Sequence, residues 1–274
     1  MCAAVMKLYR YLPYKYWKDV VRKGFAAQRA SAYEDIFEGV GQFGHYMRIA
    51  PTFYDQIYSI VCFNDPKTTS DHDEMQLWSR YADKGMGVRI SLAVPLLDDP
   101  RGVFVDKVAY CDNIEQTEEM GIGEFLSDDK SVASVSKFLR SALFTKGMSW
   151  AWEHEVRLSI VNNEIPGYIS FKEGVGDGQN PPPKFWYAEF LKPFIDGVDF
   201  GPRINSLSED HAVNAGKMIA DVNEITSEGY KLDFGVMMCA MDIRQIHRET
   251  FDVWLEMYER GRSIDSGAFS RFSA

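Results

Sequence analysis

Trp150-Ala151-Trp152-Glu153-His154-Glu155-Val156-Arg157-Leu158-Ser159-Ile160 is the stretch on which the reading of this chain turns. From Trp152 to Ile160 the residues alternate, with Trp152, His154, Val156, Leu158 and Ile160 at one parity and Glu153, Glu155 and Arg157 at the other. A period of two is that of a β-strand, in which successive side chains leave opposite faces. The spacing therefore predicts a strand inside a sheet, with two carboxylates and a guanidinium on one face. Crowded like charges raise the pKa of one carboxyl, and a neighbouring Arg holds the other ionised, an arrangement suited to cleaving a sugar bond or moving a proton. The plainer alternative is a solvated strand face carrying a salt bridge.

Outward from this stretch, strands are expected at Met6 to Tyr11, Ile57 to Phe63, Val88 to Leu92, Val103 to Tyr110, Ile195 to Phe200 and Phe234 to Met238. The segments Tyr168 to Phe171 and Phe185 to Leu191 bracket a Gly/Pro loop, Gly174 to Pro183, and are expected to pair. Helices are expected at Tyr16 to Arg22, Asp73 to Ala82, Ser131 to Gly147, around Ala212 to Val222 and at Arg244 to Arg260. Strands outnumber helices without alternating regularly with them. The expected fold is therefore α+β, a single domain with a mixed or mostly antiparallel sheet flanked by helices. One domain spans 1–262, and 263–274 is a frayed tail.

The 274 residues suffice for one large core, and 46% hydrophobic with 14% aromatic content excludes a disordered chain. No stretch approaches the roughly 18 apolar residues of a membrane span. A cytoplasmic protein without membrane attachment is expected. Four scattered cysteines, Cys2, Cys62, Cys111 and Cys239, lack the spacing of a zinc site or a disulfide framework. The net charge of −10 argues against general nucleic-acid binding. Residues 1–30 nevertheless carry seven basic side chains against Asp19 alone, so a phosphate-bearing, nucleotide-like ligand is expected near that end.

Familiar signatures fail. Gly39-Val40-Gly41-Gln42-Phe43-Gly44 has dinucleotide spacing, but an acidic, helix-like segment precedes it where a buried strand is required. His154-Glu155 lacks the second His of a zincin helix, Leu158 standing in its place. Asp71, Asp73 and Glu74 would be needed for a metal-dependent nuclease but read as a solvated loop, and no metal site is expected. On the helix at Asp73 to Ala82, Met75, Trp78 and Ala82 share one face and Leu77 and Tyr81 another, which is ordinary core packing or, functionally, a ring offered to a planar ligand.

The segments Leu8-Tyr9-Arg10-Tyr11, Ser59-Ile60-Val61-Cys62-Phe63, Met75-x-x-Trp78-x-x-Tyr81-Ala82 with Gly85 and Gly87, and Lys146 to Arg157 with its Trp-x-x-Glu-x-Arg, taken in that order, resemble the bacterial domain of unknown function family numbered 2971. That family name implies no activity. A second resemblance, to ADP-ribosyltransferases of the Arg-Ser-Glu type, rests on Arg10, Ser59 and Glu153-x-Glu155. It implies an NAD-using transferase or NAD glycohydrolase, with NAD as a substrate and no permanently bound cofactor. Arg10 would hold the NAD phosphates, Ser59 brace the site, and Trp78 or Tyr81 stack the nicotinamide. Glu155 would stabilise a cationic ribose, Glu153 activate the acceptor and Arg157 keep a carboxylate ionised. The competing expectation is a non-catalytic module whose aromatic pocket binds a nucleotide or a protein.

Overall fold

The computed structural model describes residues 5–29, 58–96, 103–111, 143–161, 173–175, 184–205, 209–239 and 246–269. The expected helix from Ser131 to its last described turn, the strand at Tyr168 to Phe171, and Gly39 to Gly44 fall outside these residues. The fold class is α+β, a mixed sheet with helices. The chain divides into two compact units, Met1–Arg10, Asp19–Thr69 and Leu92–Ile195 forming one, and Tyr11–Lys18, Ser70–Ser91 and Asp196–Ala274 the other.

The first unit is built around β3 (Tyr58–Asn64), an apolar run with polar ends. Along one edge β3 pairs antiparallel with β8 (Glu155–Val161) from Tyr58↔Val161 to Asn64↔Glu155, and β8 pairs in turn with β5 (Val103–Lys107). On its other edge β3 meets β1 (Val5–Leu12) at Tyr9↔Asn64 and β2 (Phe25–Arg29) at Gln28↔Ile60. Next to β2 come β10 (Lys184–Ala188) and β9 (Glu173–Val175), all antiparallel. A short parallel pair, β6 (Ala109–Cys111) and β7 (Thr145–Gly147), lies off this sheet. Directly paired residues share a face. Val61 and Phe63 of β3 therefore lie with Val156, Leu158 and Ile160 of β8 on one buried face, where Phe25 meets Phe63 edge-on at 5.2 Å. Gly24 ends α1 (Trp17–Lys23) with φ +91°, and a Cβ there would strike the Ala188 backbone, so only glycine lets β2 start beside β10.

The second unit contains the start of β4 (Val88–Pro95), β11 (Ile195–Phe200), β12 (Asp233–Cys239) and β13 (Ile246–Thr250). β11 and β12 run parallel and β12 and β13 antiparallel, which makes the sheet mixed. Its helices are α2 (Asp71–Tyr81), α3 (Glu209–Ser227) and α4 (Phe251–Phe269). Rings of Trp17, Phe200, Phe234, Phe251 and Trp254 form a continuous series, each 5.7–6.4 Å from the next. Aromatic pairs of this kind add stability beyond the area they bury.

Several elements differ from expectation. Met148–Glu153 is a 3-10 helix, so the strand expected at Trp152 to Ile160 begins only at Glu155. Thr145–Gly147, expected to close a helix, is β7. The segment expected as one helix from Arg244 to Arg260 is divided at Phe251 into β13 and α4, and α4 continues to Phe269 through part of the expected tail. Phe185 to Ala188 pairs with β2 and β9. Asp71, Asp73 and Glu74 are not loop residues but the first turn of α2, where Ser70 and Asp73 form a capping box.

Candidate functional site: a buried charge cluster under a tryptophan turn

The polar face of β8 carries Glu155, Arg157 and Ser159, all buried. Register sets Glu155 beside Asn64, Arg157 beside Cys62 and Ser159 beside Ile60. Glu155 and Arg157 are two residues apart on one face, and Arg157 Nε donates to Glu155 Oε1 at 2.8 Å and Nη2 to Oε2 at 3.2 Å. The third guanidinium arm, Nη1, donates to the Leu143 carbonyl at 2.6 Å. From β7 comes Lys146, whose Nζ lies 2.7 Å from Glu153 Oε2 and 3.2 Å from Glu155 Oε2. Two carboxylates and two cations, each at most 5% exposed at the side chain, thus close into one network of zero formal charge.

Glu153 reaches this network without sharing the strand. It ends the 3-10 helix, and His154 turns the chain in the left-handed region at φ 45°, a conformation costly for a residue with a Cβ. Two neighbours hold the corner: Asn64 Nδ2 donates to the Glu153 carbonyl at 2.7 Å, and the Asp65 N–H to the His154 carbonyl at 3.0 Å. The Glu155 N–H donates to the Tyr110 hydroxyl at 2.8 Å. Burial alone would raise the Glu155 carboxyl. The charges of Arg157 and Lys146 and hydrogen bonds from Arg157 and Cys62 outweigh it and bring the pKa down to about 2. Burial pushes the Tyr110 phenol well above its ordinary value, so it stays protonated.

Above the cluster the 3-10 helix presents Met148, 49% exposed, exposed Ser149, and half-buried Trp150 and Trp152, whose rings lie 6.4 Å apart at 32°. Lys146 Nζ sits 4.8 Å from the centre of the Trp150 ring. One ammonium therefore ties the buried carboxylates to an aromatic turn at the surface.

Glu153, Glu155 and Arg157, expected together, do meet, though as a buried network and not a solvated face. Arg10 and Ser59 do not join them. Tyr9 pairs with Asn64, so Arg10 and Ser59 have the opposite parity to Glu155 and Arg157, and Arg10 Nη1 donates to the Cys62 carbonyl at 2.7 Å. The expected adjacency of the first strand and the glutamate strand does not occur, because β3 separates them. Trp78 and Tyr81 belong to the second unit. Trp78 is 2% exposed, with Tyr11 edge-on at 5.1 Å and its indole N–H on Glu74 at 3.2 Å, so it is a core ring. The basic N-terminal segment is partly neutralised: Lys18 pairs with Asp221 and Glu224, and Lys23 with Asp19.

The sequence reading missed Lys146, Asn64, Asp65 and Tyr110. Lys146 left one signal, a lone cation after the apolar Leu143-Phe144. The other three are legible only from strand register. Among the described residues no group of three or more His, Cys, Asp or Glu is placed to hold a metal ion, and no helix is long and apolar enough to cross a membrane. Comparison with protein-family models, curated proteins and solved structures gives no match to this chain.

Proposed function

We propose that the protein is a binding module, in which the charge cluster is the rigid base and the turn Met148–Glu153 the recognition element for a planar, nucleotide-like ligand. The observation that carries this reading is the occupancy of Glu155: both carboxylate oxygens are engaged by Arg157 and Lys146 beneath the turn, while two tryptophans stand half-buried above it. A catalytic glutamate must face its substrate. A stacking platform needs only indole faces held still, and base stacking on such rings is worth about 1–3 kcal/mol per base. The corner at His154, fastened by Asn64 and Asp65, supplies the stillness.

One observation favours the second reading, an NAD-using transferase with NAD as substrate: Glu155 is held ionised, the state in which a carboxylate offsets a cationic ribose. A single set of measurements separates the two. Adenine nucleotides, NAD included, are titrated by calorimetry and tryptophan fluorescence, with released nicotinamide assayed alongside. Binding abolished by Trp150→Ala or Trp152→Ala, without nicotinamide release, is the expected result. Nicotinamide release by the unmodified protein that falls about 100-fold in Glu155→Gln would replace the binding reading with the catalytic one. Absence of both binding and release refutes both.

A further inference from the structure

A separate feature of the second unit, independent of the tryptophan turn, carries an inference about assembly. Among the described residues β13 pairs with β12 alone, from Gly235↔Thr250 to Cys239↔Ile246, and ends the strand order on that side. A sheet edge presents backbone donors and acceptors that another strand can take up. Read antiparallel to itself about Arg248, the sequence Ile246-His247-Arg248-Glu249-Thr250 sets His247 opposite Glu249 of a second copy and Ile246 opposite Thr250. His247 is exposed and Glu249 half-buried, and within each chain His247 Nε2 lies 3.7 Å from Glu249 Oε1, so the self-pairing would set two such pairs side by side across the axis. At the centre of this register Arg248 would face its own copy. Within each chain, however, its Nε donates to Asp199 and its Nη2 lies 2.9 Å from Asp233, so its charge is already balanced and drawn towards β12.

The helix that follows adds an apolar component. α4 packs on β12 and β13 with Phe251 and Trp254 buried, while Val253 and Met257, one helical turn apart, are 45% and 49% exposed. We infer that β13 is a dimerisation edge. A second copy of this chain continues the sheet antiparallel across a two-fold axis at Arg248, with Val253 and Met257 as the apolar part of the same interface. Such an interface is isologous: every contact is made twice, so one complementary pair serves as two.

Sedimentation equilibrium of the full chain, from low to high micromolar, tests this. Twice the chain mass is expected at the upper end. Glu249→Lys sets a cation opposite His247 and should weaken association by about tenfold or more. Combining it with His247→Asp restores opposite charges across the axis and should restore the dimer. Met257→Lys should weaken association without touching the strand, and circular dichroism establishes that each variant is folded. A wild-type chain that stays monomeric throughout, or a folded Glu249→Lys that associates as the wild type does, overturns the inference. Should Glu249→Lys not fold, unchanged association of Met257→Lys overturns it instead.

Discussion

Glu155 keeps its charge in a buried place because two cations reach it from different elements, Arg157 from its own strand and Lys146 from β7. Its folded pKa of about 2 lies below the ordinary 4.5, so the ionised form is the one that folding favours. The resulting stabilisation is complete above pH 4.5 and is lost as pH falls from there towards 2. Chemical denaturation across that range should show stability falling steeply with acid in the wild type and less steeply in Glu155→Gln. Equal slopes would mean that other carboxylates carry the acid response. Removing Arg157 is harsher than neutralising Glu155, because Arg157→Met leaves a buried carboxylate with Lys146 as its remaining cation among the contacts described above. A loss of about 3–5 kcal/mol is expected by thermal or urea denaturation. A loss under ~1 kcal/mol would show that water reaches the cluster.

Among the elements, α2 and β12 each depend on one small residue. Ser70 accepts from the Asp73 N–H at 3.2 Å at the start of α2, and Ser70→Ala should cost about 1 kcal/mol in urea denaturation. Gly235 lies under Arg248, where a Cβ would come 2.5 Å from Arg248 Nε. Gly235→Ala should therefore dislodge Arg248 from Asp199 and cost about 1–3 kcal/mol, whereas Gly216→Ala, with open space around it, should cost nothing. Elements with one uninterrupted period were legible in the sequence: β1, β3, β4, β11 and β12, and the helices α2 and α3. β2 was not expected, and two further departures sit where two periods meet. Trp150-Ala151-Trp152 continues the alternation of β8 by coincidence, and nothing local reports the left-handed turn at His154 that separates them. Ile246 to Thr250 runs into α4 without a glycine or proline, so a strand and a helix read as one. At the candidate site the carboxylates and Arg157 were visible because they share a strand face or adjoin it. Asn64 was not, because pairing across about 90 residues brings it there, and Lys146 was not, because it lies on β7 and reaches Glu153, seven residues on, only through the 3-10 turn between them.

At the scale of the molecule, the five tryptophans whose side chains are described divide by environment. Trp17, Trp78 and Trp254 are buried, whereas Trp150 and Trp152 are half-buried on the turn. Acrylamide should accordingly quench part of the fluorescence readily and part poorly, with Trp150→Phe and Trp152→Phe together lowering the accessible component. If the quenchable fraction is undiminished by the double substitution, Trp150 and Trp152 are not accessible indoles. The same measurement made with a bound nucleotide reports whether recognition occurs at the surface turn or near the buried rings of the second unit.

The position of β3 also bears on how the chain is made. Its partner on one edge, β8, ends at Val161, about 100 residues after Tyr58. Ribosomes add roughly 5–20 residues per second, so β3 emerges with Val61 and Phe63 some 5–20 seconds before the strand that pairs with this edge exists. During that interval β1 and β2 can pair with one edge of β3, but the other edge is open and apolar, the kind of surface that chaperones bind and that aggregates form on. Yield in cells should depend on translation speed between codons 64 and 155 more than on the equilibrium stability of the finished protein.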